Sequence, residues 1–452
     1  MLTTSLHAFW PRTTDQFRGY DRMRIKLSSG WSIAWTFATS TSSFRVCAFH
    51  QREFCSQVRS FGPRTNNSFC SQQQQLDRLT SVRRIAMSMS SSPELSKTLE
   101  SKPIVRYVDI GANLLDERYT DGIYYGKKRH DPDFDLVLER AREQGVTHII
   151  LTAGTLEESR KAVNVVETYR KKWEETKCDN PPSSTAVSPL FLGCTVGVHP
   201  TRCQQEFVDI SNNSESGRTS DNILDELADL LSYGFESGIV VAIGEFGLDY
   251  DRLEFSPKDI QLEFFRRQLD KFLYGNNPSL GKLPLFLHNR SVGRDLLDML
   301  LECKDRVHPK TNEPVPIKGV VHSFDDTIEL AMSFIDLGLY IGLNGCSLKT
   351  EENLEVVKEI PLDKILLETD CPYCEIKAAH AGHKFIQTTW QKKIEKKFEP
   401  GKMVKGRNEP CQIVQVAEVI AGVKGISVEE LARVCYQNSL QLYGDFFRMK
   451  NQ

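Results

Sequence analysis

No run of about 18 apolar residues occurs in the 452-residue chain, so the sequence offers no helix to cross a membrane. Net charge is also nearly absent, at −3, and a balance so close to zero does not by itself point to a polyanion partner. The twelve cysteines lack the regular spacing of a disulfide framework, which fits reduced thiols in a large domain. One close pair exists, Cys371-Pro-Tyr-Cys374. It has neither a second pair to complete a zinc knuckle nor a thioredoxin-like context, and it is read as incidental. A Gly-rich phosphate fingerprint after the first strand is missing too, which counts against a doubly wound dinucleotide fold.

The near-zero charge hides an asymmetry. Residues 1–92 carry twelve Lys/Arg against four acids, about +8, which leaves about −11 for the remainder. This stretch is rich in Ser, Arg, Phe and Gln, holds the low-complexity run 72–75, and keeps no sustained helical or strand period. Its composition is that of an organelle transit peptide, with 81–87 as a processing region. Two other readings stand beside it: a start at Met87 or Met89, and a disordered tail. A transit peptide implies chloroplast or mitochondrion; a start at either methionine implies cytoplasm or nucleus.

From residue 104 onward the pattern alternates. Strand-like runs are expected at 105–110, 148–153, 191–198, 240–243, 285–287, 319–321, 339–343 and 365–368. Helical spacing of apolar residues fills 134–144, 159–172, 223–231, 260–273, 294–302, 327–337 and 353–360, with a closing helix at 428–447. Eight strands alternating with helices predict an α/β fold, a (β/α)8 TIM-type barrel over 103–447 behind a disordered leader. Three connections are long: 173–189, which is Pro/Ser-rich and expected to be mobile, 304–317, and 371–410 after the eighth strand.

The hub is Val-Val-Ala-Ile-Gly-Glu-Phe-Gly-Leu-Asp-Tyr at 240–250. An apolar run broken by Gly244 places Glu245 just past a buried strand, at the mouth of a barrel. Asp249 falls in the following turn and is read as structural. Other strand ends carry Asp109-Ile-Gly-Ala-Asn113, His199, His288-Asn-Arg290, His322 and Glu368-Thr-Asp370. In a closed barrel Glu245, His288, His322 and Asp370 converge as two imidazoles and two carboxylates, a donor set suited to a divalent ion and a water. Asp370 can take the proton of that water. Taken singly, each of these residues is equally at home as a hydrogen-bonded structural group.

The 371–410 connection carries eight lysines from Lys377 to Lys405, then Arg407, interleaved with Phe385, Trp390 and Phe398. Such a mixture suits a phosphate backbone with unstacked bases. A solvated lysine-rich helix with a packed aromatic face would have the same composition.

These residues resemble the TatD-like deoxyribonucleases, a branch of the metal-dependent hydrolase barrels. The likeness rests on Asp109-Ile-Gly-Ala-Asn-Leu114, Thr195-Val-Gly-Val-His-Pro-Thr-Arg202, Val241-Ala-Ile-Gly-Glu-Phe-Gly-Leu-Asp249 and Phe286-Leu-His-Asn-Arg290. It continues through Val321-His-Ser-Phe324, Leu367-Glu-Thr-Asp-Cys-Pro-Tyr373 and Arg407-Asn-Glu-Pro410. Asn344-Gly-Cys-Ser-Leu-Lys349 resembles the eukaryotic type. The resemblance implies a divalent-metal nuclease acting on DNA phosphodiesters, with Glu245, His288, His322 and Asp370 as metal ligands and Asp370 also as base. His199, Arg290, Arg407 and Asn113 are assigned to substrate phosphate, and the basic connection to the path of the strand. Mg2+ is the expected ion, with Mn2+ and Zn2+ as alternatives. The His-x-His that many members carry after strand one reads Gly111-Ala-Asn113 here, so one ion is expected to be firm and a second weak. No obligate protein partner is signalled. A small-molecule amidohydrolase or deacylase on the same barrel, and a catalytically idle barrel that binds protein, are the competing functions.

Overall fold

The structure, a computed structural model, describes residues 105–179, 190–212 and 217–447. The leader at 1–92 and most of the Pro/Ser-rich connection lie outside the described residues.

Eight strands form one parallel sheet in chain order: β1 Tyr107–Ala112, β2 Val146–Leu151, β3 Phe191–Val196, β4 Val240–Asp249, β5 Leu285–Arg290, β6 Gly319–His322, β7 Tyr340–Leu343 and β8 Ile365–Leu367. Helices alternate with them: α1 Phe134–Glu143, α2 Leu156–Asp179, α3 Ser220–Glu236, α4 Lys258–Leu273, α5 Asp295–Cys303, α6 Ile328–Asp336 and α7 Glu351–Glu359. α8 Ile413–Lys424 and α9 Val428–Tyr443 complete the chain. This is the expected (β/α)8 barrel. The first and last strands meet just beyond β8. There Asp370 N–H donates to the Gly111 carbonyl at 2.9 Å and Asn113 N–H to the Cys371 carbonyl at 2.7 Å. Beneath them Thr369 donates its N–H and its hydroxyl to buried Asp109, at 2.9 and 2.6 Å.

The apolar runs read as strands because both sheet faces are covered. Val108, Ile110, Ile150, Val241, Phe286, Val320 and Leu366 pack inside the barrel. Ile149, Leu285, Leu287 and Ile341 face outward against helix residues such as Phe265, Leu300 and Phe334. Side chains alternate with period two along a strand. Inward Phe286 and Val320 therefore put His288 and His322, two residues on, into the barrel mouth above them.

Two differences from expectation have physical reasons. The strand at the hub runs on to Asp249, past both glycines, with a register shift against β5 between Ile243 and Phe246. Gly244 and Gly247 have φ of 144° and 147°. A Cβ there would lie 2.3 Å from the Phe286 carbonyl oxygen and 2.1 Å from that of His288. They permit close approach to β5 rather than ending the strand. Helix α8 was not expected because its residues are buried on nearly every side, so it lacks the amphipathic period that marks a surface helix. Among the described residues no single helix is long and apolar enough to cross a membrane.

His148 on β2 lies against Phe191 and Phe447, with ring centroids 5.3 and 4.4 Å away. Burial lowers its pKa to about 4. The fold thus prefers the neutral ring, and stability present above the unfolded value of about 6.5 is lost as pH falls toward 4. The thermal midpoint of His148→Phe should therefore fall less between pH 6.5 and 4.5 than that of the parent, as followed by circular dichroism.

Candidate metal centre

Glu245 is the focus of the barrel mouth. Its backbone N–H donates to the Ala153 carbonyl at 2.9 Å, which fixes the strand at the point where the carboxylate turns inward. One carboxylate oxygen, Oε1, lies 2.8 Å from His288 Nδ1, 2.8 Å from His322 Nε2 and 3.3 Å from His199 Nε2. His288 Nδ1 and His322 Nε2 are themselves 3.1 Å apart. Two ring nitrogens that face each other and share one carboxylate oxygen are better matched by a cation between them than by protons, because unpaired lone pairs would otherwise meet. Glu245, His288 and His322 thus fit a divalent ion as an N,N,O set.

The surrounding contacts fix the imidazoles. His288 Nε2 is 3.2 Å from Asp249 Oδ2. His322 Nδ1 is 3.6 Å from Glu368 Oε2, and its ring stacks on Phe286 with centroids 4.6 Å apart. His199 Nδ1 meets the Thr201 hydroxyl at 2.7 Å. A carboxylate on the far side of a ligand imidazole sets ring orientation and raises basicity. Burial alone would make Glu245 harder to ionise, but His322 and His199 hold its pKa well below the usual carboxylate range. Burial opposes charge on His322 as well, yet Glu245 and Glu368 raise its pKa well above that of a free imidazole.

The expected residues do not all share one role. Asp370 stands on the wall of the same cavity, outside the tight Glu245–His288–His322 cluster. Its Oδ1 accepts from Asn113 Nδ2 at 2.7 Å, and its Oδ2 from the Cys374 thiol at 3.2 Å. Burial pushes this carboxyl up to about 6; His322 opposes the shift, while Glu245 and Glu368 add to it. Asn113 also accepts from the Thr152 hydroxyl at 2.7 Å, so its amide is held between β2 and Asp370.

Asp249 corrects its reading as a turn residue. It is fully buried in β4 and supports His288. Together with His199 and His288 it makes a second possible cation cluster that shares His288 with the first. Glu368 and Thr201 were also missed, although both lie inside the quoted motifs. The clue was position: Glu368 directly follows the last residue of β8, Leu367.

The cavity holds about 540 Å³, large enough for a nucleotide-sized group. Arg202, Arg252, Arg290 and Lys349 line it. Arg290 keeps the position expected of it, half-exposed and bonded through Nε to Asp251 at 3.0 Å.

Arg407 does not reach the cavity. Its side chain is 1% exposed and donates to both Asp133 oxygens at 2.7 and 2.6 Å and to Glu409 at 2.9 Å. Arg140 meets the same Glu409 at 2.7 Å. The assignment of Arg407 to phosphate is thereby corrected, because its charge is satisfied inside the protein. Four lysines of the basic connection form ion pairs nearer the surface. Lys392 pairs with Glu375, Lys393 and Lys402 with Glu399, and Lys384 with Glu351. Phe398 stacks on His130 with centroids 4.2 Å apart. The cations at the cavity come from other loops.

A family model described as TatD related DNase matches residues 180–444. Deoxyribonuclease Tat-D of Schizosaccharomyces pombe is 41% identical over 340 residues, covering 75% of this chain and 96% of that protein. Deoxyribonuclease Tat-D of Saccharomyces cerevisiae is 32% identical, covering 78% and 94%. The crystal structure of a TatD family hydrolase from Entamoeba histolytica aligns with a TM-score of 0.61 at 35% identity, covering 75% and 98%.

Calorimetric titration with Mn2+ should show binding abolished by Glu245→Gln and weakened by ~10–100-fold in Asp249→Asn, as for loss of a ligand's supporting carboxylate. Arg407→Met should lower the unfolding free energy by ~3–5 kcal/mol in urea melts, since it leaves buried Asp133 and Glu409 short of a partner.

Proposed function

The chain belongs to the TatD-related deoxyribonuclease family, and from that premise we propose that it hydrolyses DNA phosphodiester bonds with a divalent ion held at Glu245, His288 and His322. The observation that carries the reading is the convergence of three imidazoles on one Glu245 oxygen at a cation-rimmed cavity. A divalent ion there supplies Lewis acidity toward a phosphate oxygen and lowers the pKa of a water. The protein supplies the rest. Asp370, oriented by Asn113 and Cys374, accepts the proton from the attacking water. Arg202, Arg252, Arg290 and Lys349 balance the phosphate charge and orient the strand. Phe286 forms the floor beneath His322 and keeps solvent from the inner side of the centre.

Two imidazoles to one carboxylate favour Mn2+ or Zn2+ over Mg2+, which prefers oxygen donors. This moves the choice of ion away from the Mg2+ expected at first. One resident ion is the proposed stoichiometry. A Cβ at Gly111 would lie 2.8 Å from Glu368 Oε2 and 2.9 Å from Phe286, so a ligand side chain at position 111 is crowded out. The other cation cluster shares His288 with the first. A small-molecule hydrolase would have little use for four cations around the metal centre, and that reading is not favoured.

The test is digestion of end-labelled single- and double-stranded DNA by the purified protein with Mn2+, Zn2+ or Mg2+. Cleavage should stop with a chelator and return with the ion. Asp370→Asn should lower kcat by ~10²–10⁴-fold at an unchanged thermal midpoint. Arg290→Ala should raise KM and flatten the salt dependence. Intact DNA of both kinds in the presence of bound metal would rule the proposal out.

A further inference from the structure

Of the eight cysteines whose side chains the structure describes, six are buried. The two that retain solvent access, Cys346 and Cys374, stand together at the edge of the metal cavity. They arrive from different loops, one after β7 and one after β8, yet their Sγ atoms are 2.6 Å apart. The backbones are pressed close as well: a Cβ on Gly345 would lie 1.9 Å from the Cys374 carbonyl oxygen. The Cys346 loop is pinned by its own N–H, which donates to Asn344 Oδ1 at 2.8 Å. The contact with Cys374 and, beyond the opposing effect of burial, neighbouring Lys349 favour a thiolate on Cys346. The sequence-adjacent partner is not the spatial one, for Cys371 is fully buried in the core beside Tyr119.

We propose that Cys346 and Cys374 are a modification site, a dithiol that hydrogen peroxide closes to a disulfide at the rim of the metal centre. The Cys346 thiolate attacks one peroxide oxygen, the O–O bond breaks, and the departing hydroxide takes a proton to become water. The Cys374 sulfur then attacks the resulting sulfenic sulfur. The S–O bond breaks, and a second water leaves with the Cys374 proton. Two thiols and one peroxide give one disulfide and two waters, the sulfurs losing two electrons in all. Closure also removes the S–H that Cys374 donates to Asp370 Oδ2 at 3.2 Å, and so couples the thiol state to the proton acceptor. That last consequence rests on the nuclease reading; the disulfide itself does not.

The experiment treats the reduced, full-length protein with hydrogen peroxide in the presence of a chelator and without DNA. Catalase ends the reaction, free thiols are alkylated, and tryptic peptides are mapped by mass spectrometry. A cross-link between peptides 319–349 and 365–377 is expected. It should be reversed by dithiothreitol, absent in Cys346→Ser and Cys374→Ser, and present in Cys371→Ala. Alkylated Cys346 and Cys374 in still-folded treated protein would overturn the proposal, as would oxidation of either to sulfinic acid without a cross-link. Nuclease rates are then read with metal, each variant against its own reduced form. Oxidation should slow the parent by ~5-fold, the loss of one ordinary hydrogen bond, and leave the Cys346→Ser ratio at one. A cross-linked parent with an unchanged rate would overturn the coupling to Asp370 while the modification site stands.

Discussion

One carboxylate oxygen organises the catalytic mouth. Glu245 Oε1 lies within 3.3 Å of nitrogens from His199, His288 and His322, which come from the ends of three further strands. An anion taken this far from water is costly unless it is paired. Three imidazoles provide that pairing, and each contact fixes the position of one strand end relative to the others. The outer carboxylates repeat the logic. Asp249 behind His288 and Glu368 behind His322 turn each ring so that its remaining nitrogen faces Glu245. Without these supports the rings could rotate by the ångström that separates a ligand from a bystander.

The geometry of the mouth depends in turn on how β1 and β8 meet. Asp109 lies under this seam and accepts two bonds from Thr369. Burial pushes its carboxyl up to about 8, with the Thr369 bonds opposing the shift. One residue further along, Asp370 has φ 51°, a left-handed conformation that a non-glycine residue holds only under surrounding constraint. The constraint is visible: its N–H is held by Gly111, its Oδ1 by Asn113 and its Oδ2 by Cys374. The strain places a carboxylate beside the Glu245–His288–His322 cluster instead of within it.

The barrel was legible in the sequence because burial on both sheet faces writes strands as apolar runs and the covering helices write a 3.6-residue period. All eight strands and the seven alternating helices occur where these patterns placed them, although β4 and α2 run six and seven residues past their expected ends. The convergence of His288 and His322 was legible for a further reason: period-two alternation fixes which strand-end side chains point inward. Asp249 was misread because Gly247 looks like a strand end. That glycine instead allows β4 to approach β5, a fact about a neighbour forty residues away in sequence. Helix α8 left no amphipathic mark because it is buried on nearly every side.

Charge was the least legible property. Arg407 and the lysines of the 371–410 connection have the composition of a nucleic-acid path, and composition does not say which charges are already paired. Arg407 is locked between Asp133 and Glu409, and four of the lysines face glutamates. Of the cations that reach the cavity, Arg290 ends β5 and was expected there, whereas Arg202, Arg252 and Lys349 sit singly in the segments after β3, β4 and β7, where no local density of charge gives them away. The same principle accounts for the thiols. The Cys-x-x-Cys spacing drew attention to Cys371 and Cys374, whereas the fold sends Cys371 into the core and Cys374 toward Cys346, twenty-eight residues earlier. In a barrel the loops after neighbouring strands are adjacent at the mouth however long the intervening chain. Chemistry at that mouth is therefore assembled from residues whose pairing only the strand order reveals.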